Sequence, residues 1–268
     1  MVRQSYPASL RERIDDAARA CWPAFKEQWW EGWLLRFADG YSRRSNSVYP
    51  LASAPGELQA RVAACEEIFR GEGFTPTFRM TGFQGPAGLD ALLAQRHYER
   101  IAPTFVLHRR LTDWSPPPIA RLMIDEEPIE EWSAAFAALS EMSSNRAATH
   151  RAIAAGAPSP RYPAVGRREG RTVACGLSVL TDGFCGIFDV VTAPAERRQG
   201  YGSALMLALL SWAQAQGAPD AFLQVVESNR PALRLYEKLG FAVCYEYWYR
   251  VLSPVPPSSD SRLPGGLG

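Results

Sequence analysis

The sequence predicts a mixed α/β fold built as two similar halves in one chain. Short strand-like runs alternate with helical segments along nearly the whole length. The order strands, long helix, strand, short helix, strand occurs twice. A glycine-rich turn, Arg197-Arg198-Gln199-Gly200-Tyr201-Gly202, joins the end of one strand to a long apolar helix. At 268 residues the chain has room for one large domain or two of ordinary size.

Residues 9–21 have the periodicity of an amphipathic helix, followed by a Trp-rich segment, Trp29-Trp30-Glu31-Gly32-Trp33. Gly32–Phe37 and Arg43–Val48 are expected as strands joined by the turn Asp39-Gly40. A helix over 56–70 stops at Gly71-Glu72-Gly73. A strand (74–80), a short helix (87–96) and a strand (99–110) complete the first half. Trp114-Ser115-Pro116-Pro117-Pro118 is expected to be a stiff, extended linker. The second half opens with a strand at 120–124 and helices at 128–140 and 145–155. Strands follow at 162–168, 171–180 and 184–192. Helix 200–216 is apolar nearly all round, through Ala204 to Leu210, so it should pack deeply. A strand (221–226), a helix (230–239) and a strand (241–251) finish the half, and the Pro- and Gly-rich tail 253–268 is expected to be disordered. The predicted units are therefore 1–113, 119–252 and this tail.

Composition narrows the function classes. A hydrophobic fraction of 47% is that of a globular protein, and a net charge of +1 gives no general attraction to nucleic acid or anionic membrane. Lys26 and Lys238 are the only lysines. With so much alanine, that is the composition of a GC-rich bacterial genome rather than a special use of arginine. The five cysteines, Cys21, Cys65, Cys175, Cys185 and Cys244, are odd in number and lack CxxC spacing. A disulfide framework or zinc site is not expected, and a reducing cytoplasm is. His97, His108 and His150 are scattered, so no metal is predicted. No secretory leader and no 18-residue apolar run is read.

The turn at 197–202 carries the most chemistry. A glycine-rich strand-to-helix turn exposes backbone N–H groups at a helix N-terminus, where orphan amides and the helix dipole favour phosphate. Two rival readings exist: an ordinary glycine turn opening a buried helix, and a dinucleotide-binding turn. The latter needs a third glycine where Leu205 stands. A second block, Asn229-Arg230-Pro231-Ala232-Leu233-Arg234-Leu235-Tyr236-Glu237-Lys238-Leu239-Gly240-Phe241, follows one strand later. Laying Ala91–Tyr98 over Arg234–Phe241 matches apolar and polar character at most positions, which reads as an internal duplication. The first copy lacks the Gly-x-Gly turn, and Leu93 stands where Tyr236 stands.

These two blocks resemble the GCN5-related N-acetyltransferase (GNAT) superfamily. Its (Arg/Gln)-x-x-Gly-x-(Gly/Ala) signature is met by Arg197, Gly200 and Gly202, and its Asn-x-x-Ala-x-x-Leu-Tyr-x-x-x-Gly-Phe signature by Asn229, Ala232, Leu235, Tyr236, Gly240 and Phe241. The resemblance covers 120–252 and is one of layout only over 9–110, so the chain looks like a tandem GNAT with a degenerate first copy. It implies two GNAT-like domains, each a mostly antiparallel mixed sheet flanked by helices, with a splayed strand pair in the C-terminal one. It also implies acetyl-CoA as co-substrate, its pyrophosphate on the N–H groups of Arg198, Gln199, Gly200, Tyr201, Gly202 and Ser203, with Arg197 and Arg198 adding positive charge nearby. Its pantetheine arm would lie along Val190, Val191 and Thr192.

Tyr236 is then the expected catalytic acid. An amine attacking a thioester expels a thiolate of conjugate-acid pKa roughly 8.5, and a tyrosine near about 10 can protonate it. The competing reading is a tyrosine packed in the core. Asn229 is expected to bond CoA, to cap the helix that Pro231 opens, or both. The base has more than one candidate. Some relatives carry a glutamate five residues before the asparagine; here Gln224 stands there and cannot serve. Asp189 and Glu227 remain, each with a structural alternative, as does a water chain to bulk. Segment 140–163, with Glu141, Asn145, Arg146, His150 and Arg151, is expected to border the acceptor.

The leading function is N-acetyl transfer to a primary amine of a small molecule or peptide, by a monomer or homodimer with no nucleic-acid, membrane or metal partner. A non-catalytic acetyl-CoA-binding regulatory module and a mycothiol-synthase-like acylation of a thiol-cofactor precursor are the alternatives.

Overall fold

The computed structural model describes residues 2–52, 57–118 and 122–252. The tail 253–268 and Gly56, the expected start of the second helix, lie outside the described residues. In chain order the first half comprises α1 (Ala8–Cys21), β1 (Lys26–Trp30), β2 (Trp33–Phe37), β3 (Val48–Pro50), α2 (Leu58–Gly71), β4 (Thr77–Thr81), α3 (Leu89–Gln95) and β5 (Tyr98–Arg110). The second comprises β6 (Met123–Glu126), α4 (Ile129–Leu139), α5 (Ser144–Ala155), β7 (Arg161–Arg168), β8 (Arg171–Thr181), β9 (Phe184–Thr192), α6 (Tyr201–Ala215), β10 (Asp220–Val226), α7 (Arg230–Lys238) and β11 (Ala242–Leu252).

One stretch departs from the expected string. Arg43–Ser45 is a 3₁₀ turn, not a strand, and the strand is Val48–Pro50. The local side chains explain this. Asn46 Oδ1 accepts from the N–H of Ala38 and Gly40, at 2.8 and 3.0 Å, and Ser47 Oγ donates to the Arg43 carbonyl at 2.8 Å. Such short polar side chains capture backbone groups that a sheet would otherwise use. The Trp-rich segment contributes strand β1, whose Trp29 and Trp30 stay exposed at the sheet edge.

All described strands form one sheet in the order β1-β2-β3-β4-β11-β5-β10-β9-β8-β7-β6. Neighbours run antiparallel except β3/β4 and β9/β10. The last strand of each half is exchanged: β11 enters between β4 and β5, and β5 pairs with β10. A buried ion pair locks the exchange. Arg79 on β4 meets Asp15 on α1 at 2.7 Å, and Tyr245 on β11 donates its hydroxyl to the same carboxylate at 2.7 Å. Burial alone would raise Asp15, but Arg79 and Arg19 beside it hold the carboxyl below the usual range.

Helices cover both faces. On one, α1, α4 and α5 bury Ile14, Trp22, Trp132 and Ile153 against Leu177, Phe188 and Phe222. Helix α1 thus crosses onto the strands of the second half, where Cys21 Sγ reaches the Val179 carbonyl at 3.7 Å. On the opposite side, α6 and α7 bury Leu205, Met206, Leu209, Leu233 and Tyr236 over Leu107, Ile187 and Leu223. Gly176 allows α6 its close approach, because a Cβ there would stand 2.9 Å from Leu209 Cδ1. Helices α2 and α3 pack Val62, Phe69 and Leu93 over Leu35, Phe78 and Met80. The linker starts anchored rather than free: Trp114 packs on the α6 core, Arg109 lies over its ring, and Gln214 donates to its carbonyl.

Candidate active site

Strands β9 and β10 pair only over Phe184–Ile187 and Asp220–Leu223, then part. Beyond that point a β-bulge interrupts the β8/β9 ladder, where Asp189 and Val190 together oppose Gly176 between the Cys175–Val191 and Leu177–Phe188 pairs. Asp189 is held at φ +51°. The gap opens into a cavity of about 500 Å³, lined on one side by Phe188 to Val191 and on the other by Gln224 to Val226.

At the end of β9 the chain passes through a 3₁₀ turn (Pro194–Glu196) into the glycine-rich loop. Arg198 and Gly200 both take the left-handed conformation, at φ +65° and +88°. Nothing lies within 4 Å of a Cβ at Gly200, so glycine is needed there for backbone conformation rather than space. Among the described residues, no protein acceptor takes the N–H groups of Arg198, Gln199, Gly200, Tyr201, Gly202 or Ser203. Arg168 at the end of β7 steadies the loop, its Nη1 donating to Gln199 Oε1 at 3.1 Å and Tyr201 Oη at 2.9 Å. Gly202 sits against the end of β9, 3.4 Å from Thr192 Oγ1 at its Cβ position. Arg197 Nε reaches the Thr192 carbonyl at 3.4 Å.

Tyr236 lines the cavity from α7 and is 8% exposed. Burial pushes its phenol up to about 12. Asn229, also in the cavity wall, caps α7 by accepting from the Ala232 N–H at 3.2 Å. Gln224 accepts the Tyr247 hydroxyl at 2.7 Å.

The two carboxylates expected as bases separate. Asp189 lines the cavity, and its Oδ2 takes a 2.9 Å hydrogen bond from His150 Nε2. The other ring nitrogen, Nδ1, lies 3.0 Å from Ser133 Oγ. His150 is fully buried, stacked on Phe136 and edged by Tyr41. Glu227 lies outside that cavity, at the end of β10 beside Arg230 at 3.9 Å. Of the helix residues expected near the acceptor, His150 joins the site through Asp189, and Arg146 lies over the Tyr41 ring. Glu141, Asn145 and Arg151 are exposed and line no part of the cavity.

Sequence reading missed the contribution of the first half. Ser42, Arg43, Arg44 and Thr104 line the same cavity, as do Tyr247 and Tyr249 of the exchanged strand. The available signal was Ser42-Arg43-Arg44 in a stretch without β-branched residues, but nothing local points it at β9.

Fold and site together define a GNAT-type acyltransferase. The family described as "Probable histone acetyltransferase Rv0428c C-terminal" matches residues 8–250. The uncharacterized N-acetyltransferase YobR of Bacillus subtilis is 30% identical over 248 residues, 89% of this chain and 97% of YobR. A GCN5-related N-acetyltransferase from Kribbella flavida superposes with a TM-score of 0.68 at 18% identity, over 91% of this chain and 95% of that one. A tandem GNAT protein from the clavulanic acid biosynthesis pathway gives a TM-score of 0.57 at 17% identity, over 78% and 76%. The chain belongs to the GCN5-related N-acetyltransferases. No helix of the described residues is long and apolar enough to cross a membrane, and no group of three potential metal ligands occurs among them.

Proposed function

We propose that the β9/β10 cavity transfers an acetyl group from acetyl-CoA to a primary amine of a small molecule or peptide. One observation carries this reading. The gap between β9 and β10 and Tyr236 on α7 share one cavity, and the loop with the unengaged amides follows the end of β9, its Gly202 Cβ position 3.4 Å from Thr192 Oγ1 and 3.6 Å from Leu235 Cδ2. The amides of Arg198 to Ser203, with Arg197 and Arg198 adding charge, fit a pyrophosphate at the N-terminus of α6. The free edge at Val190–Thr192 fits an extended amide-bearing arm. Acetyl-CoA supplies the activated acetyl group and a thiol leaving group.

The protein's own residues do the rest. Asp189, held on the bulge by His150, hydrogen-bonds the nitrogen and relays to bulk water both the proton an alkylammonium of pKa about 10 must lose before attack and the one shed as the C–S bond breaks and the thiolate leaves. Tyr236, with its phenol at about 12, stays protonated and acts by holding a hydrogen bond on the departing sulfur. Complete proton transfer to a thiolate near roughly 8.5 would run uphill. Glu227, outside the cavity, has no part in this scheme.

In line with the duplication, we place two GNAT-like units at 1–113 and 119–252 that exchange their last strands. On this reading the first unit carries no chemistry of its own, because aligning Ala91–Tyr98 with Arg234–Phe241 sets a buried leucine, Leu93, against Tyr236. The five buried, unpaired thiols suit a reducing cytoplasm.

The test is CoA release with acetyl-CoA and a broad amine panel, for the wild type and Gly202→Asp. Turnover with at least one amine, lost in the variant, is expected. Tight acetyl-CoA binding without turnover on any amine would favour the regulatory module instead.

A further inference from the structure

Arg44 lines the cavity with a cation that, among the described residues, has no ion-pair partner. Its guanidinium lies over the rings of Trp22 and Phe188, at 5.0 and 5.5 Å. Its carbonyl is fixed by Arg36 Nη1 at 3.0 Å and the Tyr49 hydroxyl at 2.7 Å. Among the described residues, no carboxylate stands within salt-bridge distance of Arg44 and its side chain donates no hydrogen bond. The neighbouring buried arginines differ: Arg36 pairs with Glu27 and Arg79 with Asp15.

Two residues of the cavity wall, Ser42 and Tyr249, carry unspent donors just beneath its surface. The hydroxyls of Tyr249 and Ser42 are buried without a hydrogen-bond partner, and Tyr249 is only 4% exposed. Such groups are costly unless something meets them. Arg44 and Asp189 both line the cavity and both act on the phenol of Tyr41, next to Ser42 of the wall, and Arg44 also acts on the Tyr247 and Tyr249 phenols. Burial keeps the Tyr249 phenol well above its ordinary range, hence a donor.

We infer that the acceptor is a zwitterion, an amine with a carboxylate a few bonds away, held by Arg44 with Tyr249 and Ser42 while its nitrogen faces Asp189. Amino acids and their close analogues fit this pattern. A polyamine or aminosugar does not, because it would set cations against Arg43 and Arg44. The inference rests on the acetyltransferase reading and names the substrate class for that site.

The test uses the full chain with the twenty L-amino acids and their matching amides as acceptors. Amidation lowers the pKa of the amine, so rates are compared per concentration of free amine. The wild type should favour at least one free acid over its amide by about 10-fold or more in kcat/KM, as a charge-assisted hydrogen bond predicts. Arg44→Met, which keeps an unbranched apolar side chain but removes the guanidinium, should erase the preference, and Tyr249→Phe should reduce it a few-fold. Calorimetric titration of the same compounds into CoA-saturated protein gives a second readout that needs no turnover. Carboxylate-selective binding lost in Arg44→Met supports the assignment. No selectivity, or selectivity unchanged in Arg44→Met, overturns it. Acetyl-CoA titration of the wild type separates the two readings: absent binding overturns the transferase reading, whereas intact binding without carboxylate selectivity overturns only the zwitterion site.

Discussion

His150 Nε2 donates a 2.9 Å hydrogen bond to Asp189 Oδ2, tying α5 to the β9 bulge beneath the cavity. The bond fixes a carboxylate whose backbone is already in the sparsely populated φ > 0 region. Asp189→Asn keeps an acceptor for Nε2 but removes the charge. It should lower kcat/KM for the amine about 100-fold while leaving the acetyl-CoA Kd unchanged. His150 is a positioning residue. His150→Phe preserves the aromatic packing against Phe136 and loses the donor, so it should lower kcat, and His150→Gln should restore part of it. Equal kcat in the Phe and Gln variants would remove the hydrogen bond from the mechanism.

Tyr236→Phe deletes one hydroxyl from a residue already packed against Phe241. Acetyl-CoA binding should persist and kcat fall by about 100-fold. The pH profile offers a separate check. A donor acts while protonated, so its contribution is lost as pH rises through its pKa. Burial places that pKa at about 12, so the rate should show no alkaline decline from Tyr236 below roughly pH 11. A decline near pH 9–10 that disappears in Tyr236→Phe would contradict this.

The loop should respond differently at its two glycines. Gly200→Ala costs about 1–2 kcal/mol through its φ of +88° and should weaken acetyl-CoA binding by distorting the amide array. Gly202→Asp places a carboxylate among amides suited to an anion and should abolish acetyl-CoA binding with little change in Tm. Isothermal titration decides, and retained binding in Gly202→Asp would sink the pyrophosphate assignment.

Asp15→Asn should destabilise the fold by about 3–5 kcal/mol, because Arg79 would be left buried beside a neutral amide. Asp15 has a folded pKa below its unfolded value of about 3.9, so its contribution is present above that pH and lost as pH falls through the folded value. The stability gap between wild type and Asp15→Asn, measured by urea unfolding, should therefore close on acidification below about pH 4. A gap independent of pH would show that the carboxylate charge is not what stabilises the junction.

Much of the second half was legible in the sequence because its signals are local. The glycine turn at 197–202, the asparagine cap at 229 and the apolar helix between them each follow from side chains within one or two turns of chain. Element positions there fall within a few residues of those expected. The first half was harder to read. Asn46 and Ser47 turned an expected strand into a 3₁₀ turn, and that turn carries Ser42 to Arg44 into the cavity.

The sequence by itself determined the family, the glycine-rich turn into α6 and the place of Tyr236 on α7, because each rests on residue types at fixed short spacing. Only the tertiary structure decided that β11 and β5 trade places, that α1 packs across the second half, that Asp189 rather than Glu227 meets the cavity, and that Arg44 faces it. The reason is range. An alternating run such as Tyr245, Tyr247 and Tyr249 satisfies a strand beside many partners, and its neighbours are chosen by contacts such as Asp15 with Arg79, far apart in the chain.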